Sequence, residues 1–264
     1  MRLTLVQNNP GSDLAANMSV LRELVLRAAD QRPDLIGLPE YYAFMGDRSQ
    51  DHQAAGERFD ELNGWMSGLA RETGIAIHAG SLAERRDGKT YNTTVVHASD
   101  GSELARYSKI HLVDIDLPDG SGVRESAIIA RGTTPVVYQV AGWTVGCSIC
   151  YDMRFPELYR KLRDMGAELL MVPSAFMRET GRMHWDPILR TRAIETGCYL
   201  GAPGQVHEAA GGQIKLYGNS LICDPWGQVT ARASDIECIV TADLDRAYME
   251  DIRMHLPVHR HHVL

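Results

Sequence analysis

The chain has 264 residues, of which 44% are hydrophobic and 23% are charged, and its formal net charge at pH 7 is −7. This composition is typical of a folded globular protein and excludes collagen, coiled-coil and disordered chains. The acidic balance argues against a nucleic-acid partner, and no run of about 20 apolar residues predicts a membrane span. The first residues lack the apolar core and cleavage site of a signal peptide.

The chain contains five cysteines. An odd number at low density favours free thiols over a disulfide framework, and free thiols are typical of a reducing compartment. We therefore expect a cytoplasmic protein.

The first forty residues alternate strand and helix. Residues 3–7 predict a buried strand, residues 13–31 have apolar side chains at helical spacing, and residues 35–38 begin a second strand after the break at Arg32-Pro33-Asp34. A strand, a helix and a second strand of this kind form a βαβ unit.

Both βαβ and hairpin connections are predicted in the rest of the chain. Helices are expected over residues 57–73, 156–165 and 183–195, and strands over residues 75–84, 92–98, 103–108, 136–140, 144–149, 169–172, 198–206 and 238–245, with two more strands within 220–233. This mixture predicts an α/β protein with a mixed sheet and helices outside it. No low-complexity linker divides the chain, so residues 1–264 are expected to form one domain.

Cys147 and Cys150 form a Cys-x-x-Cys pair. Such a pair occurs in thioredoxin-like redox sites and as half of a zinc site. A zinc site needs a second pair, whereas Cys198, Cys223 and Cys238 stand alone in strand-like segments. A redox motif is expected to open a helix near the start of a small domain, but this pair lies in mid-chain at a strand end. All the cysteines except Cys150 are therefore predicted to be small buried hydrophobic residues.

Cys150 is different because it follows a predicted strand and precedes a turn into a helix. Ligands bind beyond the carboxyl ends of strands in open α/β sheets, and turn N–H groups there can hold an oxyanion. Glu40 and Lys109, which also follow or lie in strand-like segments, could supply the base and the cation that a cysteine nucleophile needs. Alternatively, Glu40 is a solvated carboxylate and Lys109 a surface lysine; spacing alone leaves this open.

Six segments together carry a family resemblance. They are GLPEYYAF, YSKIHLVDIDLP, GCSICYDMRFPELYRKLRDMGAELLMVPSAF, TGRMHWDPILRTRAIETGCYLGAPGQ, GNSLICDPWGQV and DIRMHLPVHRH. In this order, over essentially the whole chain, they resemble the nitrilase superfamily of carbon–nitrogen hydrolases, and within it the Nit-type amidases.

The resemblance implies a four-layer α-β-β-α sandwich, a homodimer or higher oligomer, and no metal or organic cofactor. It implies that Glu40 is the general base, Cys150 the nucleophile and Lys109 the cation that stabilises the tetrahedral intermediate. Glu125 matches the second glutamate of the family, and the Tyr151 backbone N–H is the expected oxyanion donor. Either Glu40 removes the thiol proton during attack, or Lys109 already favours a thiolate.

The residues after the nucleophile bear on the substrate. Nitrilases resemble Cys-Trp-Glu at this point, whereas this chain has Cys150-Tyr151-Asp152, which favours a small amide over a nitrile. The resemblance to Nit-type amidases implies an ω-amide of an α-keto acid. The PSAF and LPVHRH segments favour deaminated glutathione over α-ketoglutaramate, and other aliphatic amides remain alternatives.

Four further side chains are candidates for binding this substrate. Arg154 can clamp a carboxylate, or instead form a structural ion pair with Asp152 or Glu157. Thr180 is a candidate hydroxyl contact, and the apolar walls of the pocket, or simply core packing, are expected from Tyr41 and Phe176.

Other interpretations compete with the amidase. One is a dithiol oxidoreductase that uses the Cys147 and Cys150 pair, and another is a non-catalytic binding protein, against which the intact candidate triad argues. The tail is rich in histidine; we expect a subunit contact there rather than a metal site formed by His255, His259, His261 and His262.

Overall fold

The structure, a computed structural model, describes residues 1–45, 55–116, 122–209, 212 and 214–263. The α-helices are α1 (Leu14–Ala29), α2 (Phe59–Thr73), α3 (Pro156–Asp164), α4 (Arg178–Thr196) and α5 (Arg246–His255). Short 3-10 helices span Glu125–Ala127, Cys150–Arg154 and Val258–His261. Among the residues that the structure describes, no helix combines the length and the apolar character needed to cross a lipid bilayer.

The strands form two large sheets and two small hairpins. In chain order they are β1 (Arg2–Gln7), β2 (Leu35–Gly37), β3 (Ala76–His78), β4 (Leu82–Arg86), β5 (Lys89–His97), β6 (Glu103–Ser108), β7 (Asp114–Asp116), β8 (Gly122–Arg124), β9 (Val137–Val140), β10 (Trp143–Cys147), β11 (Leu169–Met171), β12 (Tyr199–Ala202), β13 (Val206–Ala209), β14 (Ile214–Tyr217), β15 (Leu221–Cys223), β16 (Val229–Arg232) and β17 (Cys238–Asp243).

Each large sheet has a parallel centre and antiparallel edges. In the first, which we call sheet A, the order is β17-β1-β2-β3-β5, and β4 and β6 also pair with β5. In the second, sheet B, the order is β16-β15-β12-β11-β10-β9. The strands β1, β2 and β3 run parallel, as do β10, β11 and β12. The predicted mixed α/β architecture is confirmed, because hairpins and βαβ crossovers contribute to the same sheets.

The two sheets pack face to face between two layers of helices. At Gly201 they are so close that an added Cβ would lie 2.8 Å from Leu3 Cδ2. The outer face of sheet A, with Val6 and Ile36, packs against α1 and α2, and the apolar sides of α3 and α4 join the core around sheet B. This is the α-β-β-α sandwich that the family resemblance implies.

Several predicted boundaries are wrong for local reasons. The single strand expected over residues 75–84 breaks into β3 and β4 at Gly80, where φ is +43° and an added Cβ would lie 1.8 Å from Pro39 O. The strand expected over 198–206 likewise divides into β12 and β13. Helix α4 begins at Arg178 rather than Met183. Strand β10 ends at Cys147, so the strand expected over residues 144–149 stops before Cys150.

One buried polar pair joins the sheets. His78 Nδ1 in β3 lies 3.0 Å from the Tyr138 hydroxyl in β9, and His78 is fully buried. Burial lowers the pKa of His78 to about 3, because a charged imidazolium is poorly solvated there. Between pH 6.5 and 3 the unfolded chain therefore binds a proton at this histidine that the folded chain does not.

We expect this histidine to make the protein sensitive to acid. The free energy of unfolding should fall as the pH drops below about 6.5, by up to about 1.4 kcal/mol per pH unit from this residue alone. His78→Asn keeps a polar atom near Nδ1 but does not titrate. Urea unfolding at pH 7 and pH 4.5 should show that the wild type loses about 2 kcal/mol more than the variant. Equal losses would contradict the assignment.

Candidate active site

Three chain segments bring Glu40, Lys109 and Cys150 together. Glu40 follows β2, Lys109 follows β6 directly, and Cys150 opens the 3-10 helix after β10. The strand before Lys109, β6, belongs to an antiparallel hairpin. The next element along the chain is another strand, β7, so Lys109 does not lie between a strand and a helix. Their exposed fractions are 3%, 2% and 7%, so neither Glu40 nor Lys109 is the solvated surface group of the alternative interpretation.

Glu40 accepts hydrogen bonds at both carboxylate oxygens. Lys109 Nζ lies 3.1 Å and Asn92 Nδ2 2.8 Å from Oε1, and the Ala175 backbone N–H donates to Oε2 at 2.8 Å. The Gln205 side chain donates to the Glu40 carbonyl at 2.7 Å. A carboxylate held by donors in a fixed orientation is ready to accept a proton from a neighbouring group.

Sequence reasoning missed these supporting residues. Asn92 lies in a strand-like run among other polar residues of β5, so its residue type does not mark it out. Gln205 and the Ala175 N–H come from loops between short strands of sheet B and its neighbours. A backbone donor leaves no trace in the residue type, so Ala175 could not be predicted from its side chain.

Lys109 also contacts Glu125, which lies at the start of the 3-10 helix after β8. Nζ is 3.0 Å from each Glu125 carboxylate oxygen, and the Val113 N–H donates to Oε2 at 2.7 Å. Burial by itself lowers the pKa of Lys109, but Glu40 and Glu125 outweigh it and the pKa is raised well above its usual range. Burial raises the pKa of Glu125, which Lys109 opposes. The ammonium is therefore permanently charged.

The Cys150 thiol is neutral in the resting site. Burial, followed by the nearby Glu40 carboxylate, raises the pKa of Cys150 well above its usual range, and Lys109 only partly opposes them. These surroundings disfavour a thiolate at Cys150. Cys150 has φ of +46°, a left-handed conformation that is costly for a residue with a Cβ and that recurs at functional sites.

Tyr151 is the second residue of the 3-10 helix that Cys150 opens. Its N–H belongs to the first turn, whose amides have no acceptor within the helix. The Tyr151 N–H, next to Cys150 in the chain, is therefore a candidate oxyanion donor. The Lys109 ammonium is the second positive group near Cys150.

Arg154 lies at the end of the same 3-10 helix and is partly buried. Its guanidinium carbon is 5.3 Å from the centre of the Phe176 ring and 5.5 Å from that of Tyr151, and Nη1 is 3.3 Å from His184 Nδ1. Among the described residues Arg154 pairs with neither Asp152 nor Glu157, so the structure does not show the structural ion pair that was the alternative for this residue.

The other predicted pocket residues lie around these groups. Phe176 is buried against Trp185, with ring centres 5.4 Å apart, so it also packs in the core. Thr180 is in the first turn of α4, with Oγ1 3.4 Å from Met177 O. Tyr41 follows Glu40 with φ of +53°, and burial, Glu125 and Glu40 raise its pKa.

The remaining cysteines and the tail histidines take no part in these contacts. Cys147, Cys198 and Cys223 are buried as predicted, but Cys238 is only half-buried. Of the tail histidines, His255 lies 3.2 Å from Asp251 and His259 lies 3.6 Å from Asp164. Within the described part of the chain, no group of three or more His, Cys, Asp or Glu side chains is arranged to hold a metal ion.

Comparison with known proteins gives consistent matches. The family model described as carbon–nitrogen hydrolase matches residues 2–254. A deaminated glutathione amidase from Mus musculus is 41% identical over 93% of this chain and 78% of its own. The omega-amidase NIT2 of Xenopus tropicalis is 33% identical over 98% of this chain and 94% of its own.

A solved structure adds a chemical observation. A mutant of the amidase from Nesterenkonia sp. AN1 superposes with a TM-score of 0.83 at 27% identity, over 100% of this chain and 97% of that one. That structure shows covalent addition of the acetamide moiety of fluoroacetamide at the active-site cysteine.

Proposed function

Because this chain belongs to the carbon–nitrogen hydrolase family and is a cysteine-dependent amidase, we propose that its substrate is a small ω-amide of an α-keto acid, of the deaminated-glutathione type. The observation that carries this proposal is Arg154, a partly buried cation beside the nucleophile that has no carboxylate partner among the described residues. Its guanidinium lies against the Phe176 and Tyr151 rings and is only partly exposed, so it is free to pair with a substrate carboxylate.

In the proposed acylation step, Cys150 Sγ attacks the amide carbonyl carbon and its proton passes to Glu40. The raised pKa of Cys150 supports proton removal during attack rather than a standing thiolate. The Tyr151 N–H and the Lys109 ammonium hold the oxyanion of the tetrahedral intermediate. The C–N bond then breaks as the proton held by Glu40 passes to the leaving nitrogen, directly or by way of Glu125, and ammonia departs and leaves a thioester.

In the proposed deacylation step, water attacks the thioester carbonyl. Glu40 takes a proton from this water, the same two donors hold the second oxyanion, and the C–S bond breaks. Cys150 regains its proton and the carboxylate product leaves. No step needs a metal or organic cofactor. In the resting site two carboxylates, Glu40 and Glu125, flank the Lys109 ammonium.

The pocket offers recognition groups for the rest of the substrate. Arg154, backed by the Phe176 and Tyr151 rings, is placed to bind a carboxylate through its planar donors. Thr180, on the first turn of α4, is the proposed hydroxyl contact, and Tyr41 with Phe176 supplies apolar wall. A shorter dicarboxylate amide such as α-ketoglutaramate would use the same cation, so the two substrates must be compared directly.

We expect the wild type to prefer anionic amides. Ammonia release should be measured with deaminated glutathione, α-ketoglutaramate, a neutral aliphatic amide, a nitrile and an N-carbamoyl amino acid. Arg154→Met should lower kcat/KM for the keto-acid amides by roughly 10–100-fold, mainly through KM, and change the value for the neutral amide by less than about threefold.

Arg182→Met is the matched control, because Arg182 is an exposed cation on the same helix as Thr180. It should leave every substrate unaffected. Equal losses on charged and neutral amides in Arg154→Met, or a wild type that prefers the neutral amide, would overturn the proposed substrate class.

We also propose that residues 1–264 form one domain, that the protein is a homodimer or higher oligomer, and that it works in the cytoplasm. A site drawn from both sheets supports a single domain. Exposed apolar side chains in the last turn of α5 and beyond, which are Met254, Leu256, Val258 and Val263, support a subunit contact. Five free cysteines support a reducing compartment.

A further inference from the structure

Asp152 is a fully buried carboxylate with four hydrogen bonds. Oδ1 accepts from the His111 backbone N–H at 3.0 Å and from His111 Nδ1 at 2.7 Å. Oδ2 accepts from the Tyr107 hydroxyl at 2.6 Å and from the Ile149 backbone N–H at 2.9 Å. All of its strong acceptor positions are therefore occupied by the protein itself.

These four bonds connect the segments that carry the cation and the nucleophile. Tyr107 and His111 lie two residues before and two residues after Lys109, and Ile149 directly precedes Cys150. The Asp152 carboxylate thus ties residues on either side of Lys109 to the segment that contains Cys150. The bond to Ile149 also closes the start of the 3-10 helix, where Cys150 takes its left-handed conformation.

Other contacts restrain this unit further. The His111 ring stacks on Phe155, with ring centres 3.8 Å apart and an interplanar angle of 7°. The Lys109 backbone N–H donates to Asn92 O at 2.8 Å, and the Asn92 side chain holds Glu40. Lys109 is therefore fixed toward Glu40 by Asn92 and toward Cys150 by Asp152.

We propose that Asp152 is a positioning residue for amide hydrolysis, which sets the placement of Cys150 and of the Tyr151 N–H relative to the Lys109 ammonium. The proposal rests on the proposed roles of these three groups. Oxyanion binding requires donors placed within a few tenths of an ångström of the developing charge, so a small displacement between the segments is costly.

Asp152→Asn is a sharp test because of the donors around it. Each carboxylate oxygen accepts one backbone N–H, from His111 or from Ile149. Whichever way the asparagine amide turns, its NH2 group faces a backbone N–H that cannot become an acceptor. The variant therefore disturbs the link between the segments while leaving every group that touches the substrate in the chain.

Two readouts separate positioning from mere structural support. The first is kcat divided by the number of Cys150 thiols that iodoacetamide titrates, measured with whichever amide the wild type hydrolyses. The second is the rate constant for alkylation of Cys150 by iodoacetamide, followed by mass spectrometry, which is independent of the substrate. Failure of the proposed substrate class would thus leave the second readout intact.

For Asp152→Asn we expect kcat per titrated site to fall about 10–100-fold, KM to change by less than about threefold, and alkylation of Cys150 to slow about tenfold. Glu157→Gln, which removes an exposed carboxylate at the start of α3, should behave as wild type. A normal rate per site with fewer titratable sites would show a purely structural role and overturn the proposal.

Tyr107→Phe decides the matter if Asp152→Asn does not fold. It removes one of the four donors and keeps the buried ring. A decrease of about three- to tenfold in kcat per titrated site supports the proposal. A wild-type rate per site in this variant overturns it.

Discussion

Replacing Cys150 with alanine should reduce ammonia release by at least about 10⁴-fold, because the variant has no atom that can form the thioester. The fold should survive, because the change removes a single sulfur atom and leaves the ion pairs of Lys109 with Glu40 and Glu125 in place. The measurement is ammonia release together with far-UV circular dichroism. Mass spectrometry should find the acyl adduct on the wild type and none on the variant.

Cys147→Ala is the matched control for this prediction. Cys147 belongs to the same Cys-x-x-Cys pair, but it is fully buried in the core between the sheets, and burial raises its pKa. The control should retain kcat within about threefold and lose only packing energy, on the order of 1 kcal/mol. Loss of activity in both variants, with a disulfide between the two positions, would favour the dithiol oxidoreductase instead.

Replacing Lys109 with methionine should abolish activity and also destabilise the protein. Methionine fills a similar volume but leaves Glu40 and Glu125 close together in a buried site with no cation. Breaking a buried pair in this way costs about 3–5 kcal/mol. Chemical denaturation should report that loss of stability, and ammonia release should fall by at least about 10³-fold because one oxyanion-stabilising group is gone.

The double variant Lys109→Met with Glu125→Gln separates the two effects. Glu125→Gln removes one of the two carboxylates that faced the ammonium, so the double variant should recover about half of the lost stability. It should recover no activity. A stable Lys109→Met variant that still releases ammonia would contradict both the ion-pair energetics and the role of Lys109 in the oxyanion site.

The main chemistry of the site could be predicted from the sequence because it depends on rare residue types. Glu40 directly follows an apolar strand, and Cys150 lies between a strand and a helix, positions where charged or reactive side chains need a reason to be present. Their convergence could not be predicted from periodicity, since it depends on two sheets meeting face to face. The family resemblance supplied that step, and the structure places Glu40, Lys109 and Glu125 in contact.

The parts that could not be predicted are those that depend on backbone geometry. The Ala175 N–H on Glu40 and the left-handed conformation of Cys150 are set by chain direction and not by side-chain character. Short polar strands such as β7 lack an apolar pattern because neither face is buried in a core. The start of α4 was missed because Gly181 lies near it, and a glycine usually marks a break.

The groups of the proposed reaction are divided between the two sheets, which pack face to face. Sheet A and its loops carry Glu40 and Lys109, which we propose to handle protons and charge. Sheet B and its loops carry Cys150, the proposed nucleophile, and Arg154, Phe176 and Thr180, the proposed contacts to the rest of the substrate. Substitutions that alter selectivity can therefore accumulate on one half while the other keeps its hydrogen bonds. An evolving lineage, or a protein engineer, can change the acyl group that this scaffold accepts without rebuilding its proton-transfer machinery.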